Sequence, residues 1–230
     1  MFSQVFLAQT SREMANTQPK KLAYMALHFS PYSKGLSNIP LDLPKESILL
    51  LDDSMPAENH NPEVVVNQLT EMANQFSPVA VLLDFQRPVT RDLEVMADCI
   101  VNALPCPVGI TEAYAKNLAC PVFLPPPPAN QALGDYLRPW EKQGVYLEIA
   151  PEALEITVTE AGSTSVQIPL LTGLSLEDKR LHCHYNVEVF PDRVVFTICR
   201  YKEDLGSMVQ EAEHLGILGC VGLYGELQHL

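Results

Sequence analysis

Short apolar runs rich in branched side chains recur along the chain and alternate with segments of helical period. Eight such runs lie near residues 22, 48, 79, 108, 121, 145, 194 and 220. Strands that read as unbroken apolar runs are covered on both faces, as in a parallel sheet with helices outside. The pattern predicts an α/β fold, a small (β/α)8 barrel of the TIM type without a full helix after the strands near 22, 108 and 145. An open, doubly wound parallel sheet is the alternative.

Capping residues mark where several of the predicted helices begin or end. Asn61 precedes Pro62 and Glu63, a typical N-cap with a first-turn proline and a first-turn acid. Thr90 can cap the next helix. Gly216 follows a helical segment at 203–214 and predicts its end.

The predicted domain organisation has two parts. Residues 1–20 are expected to form an N-terminal leader segment, too weakly apolar for a signal peptide, and residues 21–230 a single barrel domain. Within the domain, segments 154–159 and 164–168 alternate apolar and polar positions around a turn. This predicts a β-hairpin inserted at about 152–170, which either covers the barrel in place of a helix or carries a dimer contact.

Composition narrows the possible partners and the compartment. The chain has 15 Lys and Arg against 28 Asp and Glu, a net charge of −13, which argues against nucleic acid and anionic membranes as main partners. No apolar stretch approaches the roughly 18 residues of a membrane span. The 6 cysteines form no CxxC pair, and most lie in apolar runs, as reduced buried thiols do. We therefore expect a cytoplasmic protein, either a monomer or a homodimer.

Two further patterns bear on cofactors and metals. Neither GxGxxG nor GxxxxGK follows any strand, so no cofactor is predicted. His182 and His184 form an H-x-H pair, which on a strand places both imidazoles on one face, where Zn²⁺ or iron could bind if further ligands converged. Nothing in the spacing supplies those ligands, and two half-exposed histidines are the alternative, so no metal site is assigned.

In a barrel of this kind the functional site forms where the strands end. Asp84, Glu112 and Glu148 are the candidate catalytic residues, because paired carboxylates in an apolar cup have their pKa values pushed apart. Other polar side chains near the predicted strand ends are candidates for substrate binding: His28, Tyr32, Asp52, Gln86, Arg87, Tyr114, Arg200, Tyr224 and Glu226. For each of them, a helix cap or a solvated surface residue is the alternative.

One strand carries a more specific pattern. The segment 80–88 reads AVLLDFQRP, and the period of two places Asp84 and Gln86 on the same side. It resembles the third or fourth strand of the family 18 glycoside hydrolases, whose pattern D-x-x-D-x-D-x-E ends in the acid Glu. Aligning Gln86 with that Glu places Asp84 on the preceding Asp, with Leu82 and Val79 at the two earlier positions.

The resemblance implies a glycosidase-like barrel with a carbohydrate or other small-molecule ligand. An amide cannot protonate a leaving group, so Gln86 cannot act as the family's acid. Two interpretations stay open. Either Glu112 or Glu148 takes the role of the acid, or the barrel has lost hydrolysis and binds carbohydrate or protein without turnover.

Overall fold

The structure is a computed structural model that describes residues 5–17, 19–115 and 118–227. Its strands are β1 (Val5–Gln9), β2 (Leu22–Phe29), β3 (Leu36–Ser37), β4 (Ile48–Asp52), β5 (Ala80–Asp84), β6 (Val108–Thr111), β7 (Val122–Leu124), β8 (Val145–Glu148), β9 (Glu152–Thr159), β10 (Gly162–Gln167), β11 (Leu176–Asp178), β12 (Cys183–Val189), β13 (Val194–Arg200) and β14 (Gly219–Leu223). The helices are α1 (Ser11–Met14), α2 (Pro62–Phe76), α3 (Arg91–Ala103), α4 (Glu112–Ala115), α5 (Leu133–Leu137), α6 (Lys202–His214) and α7 (Tyr224–Leu227), and a 3-10 turn at Arg138–Trp140 follows α5.

Eight of these strands close into a parallel barrel. Their order is β1-β14-β8-β7-β6-β5-β4-β2, and β2 pairs back onto β1. The predicted (β/α)8 barrel is therefore confirmed, and the open sheet is not. The full-length helices α2 and α3 follow β4 and β5, whereas β2 is followed by the short strand β3 and β6 by the four-residue helix α4.

Two strand assignments differ from the prediction. The first barrel strand is β1, which lies in the segment predicted to be a leader. It is only five residues long, so its apolar residues are too few to predict a buried strand from the sequence. Its pairing with β14 and β2 makes it a barrel strand. The run near 194, predicted to be a barrel strand, is β13 of a second sheet. It reads as continuously apolar because its inner end, Ile198 and Cys199, is buried.

The second sheet is inserted between β8 and α6. It is antiparallel, with the order β10-β9-β13-β12-β11. The predicted hairpin is its β9–β10 pair, so the insert is confirmed but is larger than the sequence indicated. Its inner end packs on the barrel through a small apolar cluster of Ala129, Leu154, Cys183 and Ile198. The outer end, including all of β10, is exposed.

The caps form as the sequence predicts. Asn61 Oδ1 accepts a hydrogen bond from the Glu63 amide at 3.0 Å, and Thr90 Oγ1 accepts one from the Leu93 amide at 3.3 Å. Gly216, just beyond α6, has a φ of 78°, the left-handed conformation that glycine adopts most readily. No helix within the described residues is long and apolar enough to cross a membrane.

The inside of the barrel is filled by side chains from alternate strand positions. They form a core distinct from the larger one between the strands and the outer helices. Gly109 makes room for this filling, since a Cβ there would lie 2.7 Å from Leu82 Cδ2 and 3.1 Å from Tyr146 Cδ2. The apolar filling ends below the carboxyl ends of the strands, where carboxylates take the inward positions.

Candidate active site

A small cavity opens where the barrel strands end, and three carboxylates line it: Asp52, Asp84 and Glu148. Its volume is about 90 Å³, and the rest of its lining comes from Ala8, Met25, Leu50, Phe123, Val221, Gly222 and Leu223. Among these described lining residues there is no Lys, Arg or His. The cavity is therefore an apolar cup that holds negative charge without a cation.

The barrel register explains why these carboxylates meet. Asp52 and Asp84 are paired in register on the adjacent strands β4 and β5, so they occupy the same level. Two residues below them, Leu50 and Leu82 belong to the inner core, and the period of two turns both aspartates inward. Glu148 ends β8, three strands along the barrel from β5, and faces the aspartates across the cavity.

Burial and mutual repulsion raise the pKa values of two of these groups. Burial raises the pKa of Glu148 to about 7, and the charges of Asp84 and Glu226 add to the rise. Burial also raises the pKa of Asp84, to which Asp52 and Asp53 add. The hydrogen bond from Gln86 Nε2 to Asp84 Oδ1, at 2.5 Å, opposes that rise because it favours the ionised carboxylate. Glu148 is thus the carboxyl group suited to carry a proton near neutral pH.

Tyr136 belongs to the same region, although the sequence did not single it out. Its hydroxyl donates to the Pro125 carbonyl at 2.9 Å. Burial raises the pKa of Tyr136 to about 12, and the charges of Glu112 and Glu148 contribute, so the ring lies near both acids. The only available signal was its place in the segment after β7, where functional residues of such barrels are found.

Other predicted site residues lie around this cavity without lining it. His28 is in register with Asp52, and its Nδ1 is 3.2 Å from the Ala26 carbonyl oxygen. Arg87 donates from Nη2 to the Ser54 carbonyl at 2.8 Å. Tyr224 and Glu226 open α7 directly after β14, and the charge of Glu226 reaches Glu148.

Three predicted site residues lie away from the cavity, and a fourth, Arg200, belongs to the inserted sheet. Glu112 is exposed at the start of α4 and does not line the cavity. Tyr114 is 3% exposed in the outer core, where its ring meets Phe85 edge-on. Tyr32 is 95% exposed on the loop after β2.

Arg200 ends β13 in the second sheet, not a barrel strand, and it is buried. Its guanidinium donates to four backbone carbonyls: those of Pro127, Pro128, Leu181 and His182. These bonds tie the inserted sheet to the loop that follows β7. Four of the five N–H donors of the guanidinium are thus bonded, which explains why so large a charged side chain is buried.

The two histidines of the H-x-H pair are bonded to α6. His182 Nδ1 lies 2.8 Å from Ser207 Oγ, and its Nε2 lies 2.6 Å from Glu211 Oε2. His184 Nδ1 lies 3.2 Å from Asp204 Oδ2. Within the described part of the chain, no three His, Cys, Asp or Glu side chains are grouped so that they could hold a metal ion.

Comparison with known proteins identifies relatives in fold only. Neither a family model nor a curated protein matches the sequence. Among solved structures, a mutant family 18 chitinase from Cycas revoluta in complex with (GlcNAc)4 matches with a TM-score of 0.55 and 10% identity, over 96% of this chain and 94% of the chitinase. The spore cortex-lytic enzyme SleL of Bacillus cereus matches with a TM-score of 0.50 and 9% identity, over 95% of this chain and 70% of SleL. SleL of Bacillus megaterium matches with a TM-score of 0.50 and 11% identity over the same shares.

These matches confirm, at the level of the fold, the resemblance to family 18 glycoside hydrolases that the segment 80–88 suggests. The chain shares the barrel fold of these enzymes, and residue 86, which the sequence comparison aligns with the acid of the family pattern, is an amide. At 9–11% identity the similarity concerns the fold and does not extend to the activity.

Proposed function

We propose that the protein hydrolyses a glycosidic bond in a carbohydrate, with Glu148 as the general acid and Asp84 as its partner carboxylate. The observation that carries this proposal is the placement of both groups on one cavity, with burial raising the pKa of Glu148 to about 7. Most glycosidases place one protonated and one ionised carboxyl group on either side of the scissile bond. Pairs of carboxyl groups whose environments separate their pKa values supply both.

The roles follow from the local bonding. Glu148 has apolar neighbours and negative charges nearby, so near neutral pH a large fraction of it is protonated and can protonate a leaving oxygen. The bond from Gln86 favours ionised Asp84. The ionised carboxylate can stabilise the positive charge that develops on the sugar, or attack the anomeric carbon that bears this charge. Asp52, beside Asp84, adds negative potential.

Relatives in fold suggest which substrate to try first. The matched chitinase was crystallised with an oligosaccharide of GlcNAc, and SleL is named as a cortex-lytic enzyme. The cavity of about 90 Å³ is well below the roughly 300 Å³ of an ordinary ligand pocket, so it can accept the reacting atoms but not a sugar ring. We expect the sugar rings to lie above it, on the loops at the strand ends.

Turnover of chromogenic glycosides of GlcNAc oligosaccharides tests this proposal. We expect E148Q to lose about 10²–10⁴-fold in kcat, the usual contribution of a general acid. The exposed Glu188, on the outer part of β12, provides a matched control, and E188Q should leave the rate unchanged. Activity of the wild type should fall as the pH rises through about 7, because the acid then loses its proton. Full activity of E148Q would exclude the assigned role.

Loss of hydrolysis with retained binding is the second candidate function. The amide of Gln86 at the place of the acid, together with the small cavity, favours it. In that case the wild type would bind GlcNAc oligosaccharides in calorimetry without cleaving them. Turnover gained by Q86E from an inactive wild type would then indicate a barrel that lost its acid at this position.

A further inference from the structure

Asp53 joins the two loops that leave β4 and β5. Its side chain is buried, with the residue 3% exposed. Oδ1 accepts a hydrogen bond from the Gln86 amide at 2.9 Å, and Oδ2 accepts one from the Arg87 amide at 2.9 Å. The Arg87 side chain returns a third bond, from Nη2 to the Ser54 carbonyl at 2.8 Å. One carboxylate thus binds two consecutive amides of the neighbouring loop.

The same loop carries the amide that reaches Asp84. Gln86 is exposed, so packing does little to fix its side chain, and its backbone is held by Asp53. From that backbone, Nε2 extends to Asp84 Oδ1. A displacement of the loop would carry this amide away from the carboxylate, because the side chain has no other hydrogen bond among those described.

We propose that Asp53 is a positioning residue of the site, which holds the backbone of Gln86 so that its side-chain amide stays bonded to the Asp84 carboxylate. Asp53 does not line the cavity, and it acts through Gln86. Any role of Asp84 in a reaction rests on the function proposed above. The contacts that run from Asp53 through Gln86 to Asp84 are independent of that function.

Removal of the Asp53 charge has two opposite consequences for Asp84. The charges of Asp52 and Asp53 both raise the pKa of Asp84, and Glu148 lies across the cavity from it, so loss of one negative charge lowers that pKa. Loss of the Gln86 bond raises its pKa, and we expect this effect to be the larger one, because Gln86 contacts the Asp84 carboxylate directly whereas Asp53 does not line the cavity. A positioning role and a pure charge effect therefore predict opposite signs.

A double-mutant cycle with D53N, Q86A and D53N/Q86A separates the two effects. The pKa of Asp84 is measured by carbon-detected NMR titration of the side-chain carboxyl groups. We expect Q86A to raise it and D53N to raise it as well. In the Q86A background, D53N should lower it, since only the charge effect is left. An equal lowering by D53N in both backgrounds would overturn the proposal.

Asp52 offers a matched control. It is the neighbouring carboxylate, also faces Asp84, and accepts from the Ser54 amide instead of those of Gln86 and Arg87. We expect D52N to lower the pKa of Asp84 in both backgrounds. A rise with D52N in the wild-type background alone would contradict the assignment of Gln86 to Asp53.

A measurement on the wild type covers the case in which D53N does not fold. The amides of Gln86 and Arg87 should exchange with deuterium at least about tenfold more slowly than unbonded loop amides. Exchange at the unprotected rate would overturn the proposal. None of these readouts requires turnover, so a wild type that cleaves no glycoside would refute the proposed hydrolysis and leave the role of Asp53 to be decided by the cycle.

Discussion

Two regions of the molecule collect charged side chains, and they treat them differently. In the cavity at the end of the barrel, Asp52, Asp84 and Glu148 face one another, and the cavity-lining residues include no cation. Where the inserted sheet meets α6, both histidines have a carboxylate partner: His182 lies against Glu211 and His184 against Asp204. The first arrangement destabilises the charged forms of its carboxyl groups, whereas the second gives each histidine a hydrogen-bond partner on α6.

The difference indicates where chemistry is to be sought. A fold gains nothing in stability from carboxylates that repel each other in an apolar cup, so such a group points to function. The histidine–carboxylate pairs and Arg200 have a structural explanation, because they connect the insert to the rest of the chain. The Arg200 guanidinium does so by donating to four backbone carbonyls. Both regions contain polar residues that the sequence alone marks as candidates for a functional site. Three substitutions test the contrast.

The largest expected effect is on the satisfied side. R200M removes the donors from four backbone carbonyls, some of which stay buried without a partner. We expect a loss of about 3–5 kcal/mol in the free energy of unfolding, measured by urea denaturation. The control is R180M, because Arg180 is 76% exposed in its pair with Asp135, and an exposed ion pair contributes less than about 1 kcal/mol. Similar losses in both variants would mean that the buried bonds contribute no more than a surface pair.

The second effect concerns pH and the unsatisfied side. The pKa of Glu148 is about 7 in the folded protein against 4.5 ordinarily, so the folded state binds the proton more tightly than the unfolded state. The stability that this protonated group contributes is complete below pH 4.5 and is lost as the pH rises through 7. E148Q should therefore be more stable than the wild type above pH 7, by about 2 kcal/mol after solvent screening is considered, and nearly equal below pH 4.

Urea denaturation between pH 4 and pH 9 measures this difference, and E188Q, at an exposed position, serves as the control. If E148Q and the wild type lose stability in parallel across that range, Glu148 does not carry the repulsion that the cavity implies.

The smallest effect separates the histidine pairs from a functional site. H182F keeps the ring volume but removes both nitrogen contacts, to Ser207 and Glu211. We expect a loss of about 1 kcal/mol in the free energy of unfolding and no change in glycoside turnover. H214F, at an exposed position on α6, should be close to neutral. A loss of turnover in H182F alone would make the sheet–α6 junction part of the site.

The sequence predicts an element correctly where a local pattern of residues has only one physical explanation. The continuous apolar runs of β4, β5 and β6 indicate strands covered on both faces, and Asn61 and Thr90 mark helix starts because their side chains bond the first free amides. It failed for β1 and β13. A five-residue run and a seven-residue run look alike whether they pair in the barrel or in the insert, since only the partner strand distinguishes them.

The sequence predicts a cluster of acidic residues at the strand ends, but only some of the acids it indicates line the cavity. The sequence assigns Asp84 and Glu148 because each stands at the carboxyl end of a predicted barrel strand, and both line the cavity. Glu112 was selected on the same grounds and is exposed, because the chain turns into α4 at that residue. Tyr136 and the bonding of Asp53 have no motif of their own in the chain. Asp53 bonds amides 33 and 34 positions away on the loop of the adjacent strand, and Tyr136 comes near Glu112 and Glu148 only through the fold.

By itself, therefore, the sequence determined the fold class, the strand-end acids and the amide at residue 86, because alternation and capping act over a few residues. The tertiary structure decided which acids share a cavity, that Arg200 and the histidines are bonded to backbone and to α6, and that β1 completes the barrel. Those outcomes depend on closure of the barrel and on burial. The repulsion between two carboxylates depends on the distance between them and on how far water is excluded from around them, and only the tertiary structure fixes both.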